Sequence, residues 1–176
     1  MQIVKIPSER VPVLIGKNGE VKAEIARRGK VELDVDDEGE VHISSKESVD
    51  EWKSREVVKA IGRGFSPDKA FRLFSDEFYL KVIDLKEIFG SDKEITRHKG
   101  RVIGHDGKAK RVIEATSGAD LSVYGNTIGI LGRLDELGLA ESAVSKLLEG
   151  ASHAKVYSLL EKGRRRVREE RLWETK

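Results

Sequence analysis

Apolar residues along the chain recur at two spacings, and the spacings alternate. Ile3, Val4 and Ile6 form a β-branched run over Gln2–Ile6 that predicts a short strand. Pro7-Ser8-Glu9-Arg10 then opens a helix through Val11–Ile15, with Ser8 as candidate cap and Pro12 in the first turn, where a missing N–H is tolerated. Gly16-Lys17-Asn18-Gly19 breaks that helix. Val21 and Ile25 place one apolar face on a second helix, Glu20–Arg28, which Gly29 stops. Val31, Leu33 and Val35 alternate with charged residues, and Val41 and Ile43 with polar ones, around Asp36-Asp37-Glu38-Gly39, which is the pattern of a β-hairpin. Ser48 opens a third helix running to about Ile61. The predicted order is β-α-α-β-β-α.

The order then returns. Tyr79–Ile83 reads as a strand, Ile95–Ile103 and Ala109–Thr116 as helices, Leu121/Val123 and Ile128/Ile130 as a hairpin around Gly125-Asn126, and Asp135–Glu149 as the closing helix. Residues 152–171 add a helix with Val156, Leu159, Leu160 and Val167 as an intermittent apolar stripe. The repetition extends to the residues themselves. Gly16-Lys17-Asn18-Gly19 recurs as Gly104-His105-Asp106-Gly107, 88 positions later and without a gap, and Ile15/Ile103, Lys22/Lys110, Ile25/Ile113, Leu33/Leu121 and Val35/Val123 keep the same offset. The chain therefore reads as two copies of one unit, residues 1–78 with a connector helix and residues 79–176 with a C-terminal helix. The glycine-rich break Gly62-Arg63-Gly64-Phe65-Ser66-Pro67 precedes that connector, Lys69–Phe78, whose Phe71, Phe74 and Phe78 share one side and read as glue between the units.

Charge refines this picture. The net charge of +2 over 176 residues is unevenly spread: −2 over residues 1–80 and +4 over 81–176. A nucleic-acid partner would feel the second half more strongly at long range. There are no cysteines, so disulfides and thiolate metal sites are excluded and a reducing compartment is expected. A Lys/Glu-rich, Met-poor composition resembles proteins of heat-loving organisms. The first residues lack the apolar core of a signal peptide, and the longest uncharged run, Leu121–Gly132, is too short to span a bilayer.

Both Gly-x-x-Gly loops lie between two short helices, follow an isoleucine and precede a hairpin at the same distance. Glycine permits positive φ and carries no Cβ, so a sugar-phosphate chain can press against the backbone while the next helix points its N-terminal N–H groups and positive dipole end at it. Bases would then lie across the apolar floor between helix and hairpin. The segments Val13-Leu14-Ile15-Gly16-Lys17-Asn18-Gly19-Glu20-Val21-Lys22 and Arg101-Val102-Ile103-Gly104-His105-Asp106-Gly107-Lys108-Ala109-Lys110 resemble the KH domain in its type I arrangement, in two tandem copies over nearly all of the chain. That resemblance implies an α+β fold of two tandem type I KH-like domains, each a three-stranded antiparallel sheet with about three helices on one face. Ala60-Ile61-Gly62-Arg63-Gly64-Phe65-Ser66-Pro67, with the two-copy layout, is similar to the archaeal relatives of the Dim-two (partner of Nob) and KRR-type small-subunit assembly factors. It implies a cytoplasmic RNA-binding adaptor in ribosome assembly or rRNA processing. Its partner would be single-stranded (pre-)ribosomal RNA near the 3′ end of small-subunit rRNA. It also implies contact with a maturation endonuclease or the translation initiation machinery.

The RNA-binding candidates are Gly16, Lys17, Asn18, Gly19 and Lys22 in the first copy, and Arg101, Gly104, His105, Asp106, Gly107, Lys108, Lys110 and Arg111 in the second. Lys17 and Asn18 suit a phosphate. Asp106 opposes one, with Arg101, Lys108, Lys110 and Arg111 expected to surround and outweigh it. The acidic turn Asp34–Glu40 is the awkward element of the first copy, and the second is expected to be the stronger RNA contact. The competing reading of either loop is a tight turn without a ligand, which makes the protein an interaction scaffold with at least one degenerate KH unit. The basic cluster Lys162, Arg164, Arg165, Arg166, Arg168 and Arg171 suits either an RNA backbone or a solvated helix face. Trp52 and Trp173 suit core or interface roles as well as base stacking. Enzymatic readings find no support: Gly107-Lys108 is followed by Ala109, so there is no phosphate loop of the NTPase type. His42, His98, His105 and His153 form no paired metal motif, and no serine or threonine has a nucleophile setting. No cofactor or metal is expected.

Overall fold

The computed structural model describes residues 1–175. They form two compact units, Met1–Leu80 and a second beginning at Lys81. In the first, β1 (Gln2–Lys5), α1 (Val11–Ile15), α2 (Glu20–Gly29), β2 (Glu32–Val35), β3 (Glu40–Ser44) and α3 (Ser48–Gly62) are followed by a short α4 (Pro67–Ala70). The second sheet begins with β4 (Phe78–Asp84), across which the division between the units falls. It is followed by α5 (Leu85–Ile88), α6 (Asp92–Ile103), α7 (Lys108–Ser117), β5 (Asp120–Tyr124), β6 (Thr127–Arg133), α8 (Leu134–Leu148) and α9 (His153–Glu174). The sheets have the orders β1-β3-β2 and β4-β6-β5. The element order is as the sequence pattern predicts, and the α+β architecture of two three-stranded sheets with helices is as the resemblance implies.

The alternation of apolar residues sets the register. Leu33 faces Ile43 and Val35 faces Val41 in the first sheet, while Leu121 faces Ile130 and Val123 faces Ile128 in the second. Slipping either pairing by one residue would turn these side chains to the opposite face. Leu14, Ile25, Val41, Ile43, Val57 and Ile61 are fully buried in the first unit. In the second, Val102, Ile113, Ile128, Ile130, Val144 and Leu147 join Val156 and Leu160 of α9 in one core cluster. Each such side chain contributes roughly 1.5–3 kcal/mol by leaving water. Val156 and Leu160 of the stripe read from residues 152–171 seat α9, while Leu159 is exposed. Gly163 lets the helix approach closely, since a Cβ there would lie 2.4 Å from Leu139 Cδ2.

Helices α3 and α8 each end on a guanidinium. Arg10 donates to the carbonyls of Ile61 and Phe65 at 2.8 and 2.9 Å, and Arg101 to those of Leu147 and Ala151. Both satisfy C-terminal carbonyls and put positive charge at the negative end of the helix dipole. They come from non-equivalent positions, a 3₁₀ turn (Ser8–Arg10) and the last turn of α6.

Two expectations are corrected. Ser8 makes no capping bond, because it lies inside the 3₁₀ turn and Pro7 occupies the cap position. The connector is not a helix to Phe78. Helix α4 ends at Ala70, Phe71–Phe74 is a 3₁₀ turn, and Phe78 already belongs to β4. Its aromatics are used inside the first unit. The Phe71 ring lies beneath the Arg28 guanidinium at 5.0 Å and packs on Phe74, and Phe74 lies against Gly29 where a Cβ would come within 3.2 Å. Cation–π attraction and packing on α2 thus hold Phe71 and Phe74 within the first unit.

His98 is buried on α6, with its ring stacked on Phe89 at 4.0 Å and 8° and its Nε2 3.3 Å from Arg97. Burial, then the Arg97 and Arg101 charges, lowers its pKa. The folded chain keeps it neutral, whereas the unfolded chain takes up a proton near pH 6.5. Stability is therefore full above about pH 6.5 and declines as the pH falls below it. Melting curves between about pH 7.5 and 5.5 should show this decline, and His98→Phe should flatten it; equal slopes for both proteins would refute the assignment.

Candidate nucleic-acid interface

The two loops have the same backbone. Gly16, Asn18 and Gly19 have φ/ψ of 75/175, 55/25 and 77/14°, and Gly104, Asp106 and Gly107 have 77/175, 51/29 and 75/13°. The first glycine occupies a region open only to glycine. It also sits where no Cβ fits: one would lie 2.5 Å from Val21 Cγ2 at Gly16 and 2.6 Å from Ala109 Cβ at Gly104. Asn18 and Asp106 tolerate the left-handed conformation better than most residues, which is why those types fit the third position. Each loop closes with an N–H from its second glycine to the carbonyl of its first, at 3.2 Å in both. The N–H groups of Lys17 and Asn18, and of His105 and Asp106, take no part in that closure, and these four residues are exposed. The following helices, α2 and α7, start directly at the loops with ten residues each, so their positive ends face the tip.

Charge is distributed differently in the two copies. Among the described residues no carboxylate pairs with Lys17, Lys22 or Lys108. Farther along α2, Arg27 and Arg28 both clasp Glu24, whose pKa falls to about 2 through its hydrogen bonds with them. At the second loop Arg111 donates to the Asp106 backbone carbonyl, and His105 Nε2 lies 3.2 Å from the Asp106 carboxylate. Of the cations expected around it, Lys110 is paired with Glu114 at 3.2 Å. Arg101 is directed elsewhere: its guanidinium is held by the end of α8, and the position read as an RNA contact is a structural cap. Its Nη1 and Nη2 groups are aimed at the Leu147 and Ala151 carbonyls rather than at the loop.

Edge strands β2 and β5 lie beside these helices. Half-buried Val13, Ile15 and Val21, with Leu33 and Val35 on β2, are the apolar floor available to bases in the first copy; Ile103, Val112 and Val123 are their half-buried counterparts in the second. The acidic turn of the first hairpin is fixed in place. Asp36 accepts from the Glu40 N–H at 2.8 Å, which lowers its pKa, and Gly39 has φ +90° with its carbonyl 2.8 Å from the Ile6 N–H. The second turn, Gly125-Asn126, is uncharged, and its Asn126 carbonyl accepts from the Leu85 N–H. Glu114 was not distinguished by the sequence reading, although its i,i+4 spacing from Lys110 is a legible pairing signal.

Residues 79–165 match the eukaryotic-type KH domain of type I, and residues 1–55 match the KH domain. A KH domain-containing protein of Methanocaldococcus jannaschii is 47% identical across the whole chain, which covers 80% of that relative. The chain belongs to the KH-domain family. The Dim2p chain in the crystal structure of an a/eIF2alpha-aDim2p-rRNA complex from Pyrococcus horikoshii is 43% identical, with a TM-score of 0.86 and 93% of each chain covered. The pre-rRNA-processing protein pno1 of Aspergillus fumigatus is 34% identical over 66% of this KH chain, which spans 48% of that relative's length.

Gly16→Ala and Gly104→Ala should each destabilise the KH chain by about 1–3 kcal/mol, from backbone strain and the clash with the next helix, measurable by denaturant unfolding. An unchanged midpoint would mean the loop relaxes freely. Replacing Lys17-Asn18 or His105-Asp106 by Asp-Asp should weaken RNA binding without shifting the unfolding midpoint. Unchanged affinity in both variants would show that the loops are not the clamp.

Proposed function

We propose that this tandem KH chain is a non-enzymatic, cytoplasmic adaptor that binds single-stranded (pre-)ribosomal RNA, near the 3′ end of small-subunit rRNA, during ribosome assembly or rRNA processing. The observation that carries the reading is the pair of loops with one backbone geometry, each with two exposed tip residues and the start of a helix behind them. Such a loop clamps about four nucleotides of backbone. An archaeal relative of similar fold occurs in a complex with rRNA, and fungal relatives are pre-rRNA-processing proteins. The resemblance of the layout to Dim-two-type assembly factors supports the 3′-end assignment. Among the described residues no helix is long and apolar enough to cross a membrane.

A second reading, a protein scaffold with one degenerate KH unit, is favoured by one observation: the complex of the archaeal relative also holds a/eIF2alpha. Contact with an initiation factor or an endonuclease is compatible with RNA binding, and the acidic β2–β3 turn is the surface that suits it.

Fluorescence anisotropy with short labelled RNAs tests the proposal. The 3′ end of small-subunit rRNA should bind more tightly than a scrambled single strand, and both more tightly than a duplex. With about three to five phosphates neutralised, log affinity should fall against log salt with a slope of about −2 to −3.5. A slope near zero, or equal binding of duplex, would transfer weight to the scaffold.

A further inference from the structure

In the antiparallel ladder only alternate residues of β5 donate to β6, and the others point their N–H groups outward from the sheet edge. Leu121 is one of the outward residues: its N–H meets Glu114 Oε2 of α7 at 3.1 Å. The other oxygen of the same carboxylate, Oε1, accepts from Lys110 Nζ at 3.2 Å. Glu114 thus ties the edge strand to the helix that the loop opens, two turns beyond the loop, with its side chain 20% exposed. The first unit has nothing of the kind. At the same 88-residue offset the residue is Ala26, and the outward N–H of Leu33 is not met by a carboxylate.

We infer that Glu114 is a base-selecting residue of the second KH unit, specific for a guanine edge. The inference rests on the RNA-binding reading above and names the preference within it. An ionised carboxylate only accepts, and each oxygen keeps a lone pair after the bonds to Lys110 and Leu121. Guanine presents two adjacent donors, N1–H and N2–H, which match two carboxylate oxygens side by side. Cytosine and adenine offer a single exocyclic amine, and uracil a single imino N–H. Base acceptors are repelled, and the Leu121 N–H that would have received them is already occupied. The Lys110 partner holds the carboxylate in place from one turn earlier on α7. The first unit, with an alanine and an open strand edge, carries no such preference.

The test equilibrates the full chain with a randomised pool of short single-stranded RNAs and sequences what is bound, for the wild type, Glu114→Ala and Glu114→Gln. The wild type should enrich guanine at one position of the bound motif. Glu114→Ala should reduce that enrichment about tenfold and leave the preferences at the other positions unchanged. Glu114→Gln keeps the shape and one acceptor, so it should fall between the two, and it carries the test if Glu114→Ala does not fold. Guanine enrichment that survives in both variants, or its absence from the wild type, overturns the inference while leaving RNA binding intact. No retention of the pool by the wild type overturns the RNA-binding reading and the inference together.

Discussion

The first glycine of each loop governs the arrangement of everything around it. At Gly16 and Gly104 the backbone lies so close to the next helix that a Cβ would come within 2.5–2.6 Å of Val21 or Ala109. Only glycine both fits there and adopts φ near +75° with ψ near 175°. From that contact the two short helices reverse on each other, the tip residues are pushed into solvent, and the second helix begins with its positive end behind the tip. The apolar side chains that follow, Ile25 and Ile113, then reach full burial against the sheet. The loop is therefore a packing device first, and it is this packing that presents its free backbone to a ligand.

On that shared frame the two units differ in charge. The first exposes Lys17 and Asn18 and holds a rigid acidic turn close to the end of β1. The second has an uncharged turn, an aspartate at the tip attended by Arg111 and His105, and a glutamate closing its sheet edge. A backbone-clamping element can be duplicated without change because phosphates are all alike, whereas surfaces that select bases or proteins are free to diverge. The two capping arginines show the complementary case. Arg10 and Arg101 satisfy the same pair of carbonyls at the ends of α3 and α8 from non-equivalent positions, so the need is shared and the residue supplying it is not.

Much was legible in the chain because the signals were local. The strict period-2 and period-3.6 patterns set both sheets, the hairpins and the helices that flank the loops, and the gapless offset of 88 exposed the duplication. The α9 stripe identified a helix that does enter the second core. The glycines announced positive-φ backbone because few other residues accept it, whereas the left-handed Asn18 and Asp106 were read only for how their side chains meet a phosphate.

What the sequence could not determine is where long side chains end. Arg101 reads as one more cation beside an acidic loop, yet it spans to a helix end almost fifty residues away. Phe71 and Phe74 read as an inter-unit surface, yet they fold back on α2 beneath Arg28. Glu114 stands in the sequence one turn from Lys110, but only the strand brought alongside gives its second oxygen a partner. Backbone conformation is governed by neighbours in sequence, so the chain alone determined the elements, the repeat and the loops. The use of a flexible charged or aromatic side chain is governed by which carbonyl, ring or N–H lies within reach after folding, and that only the tertiary structure decided.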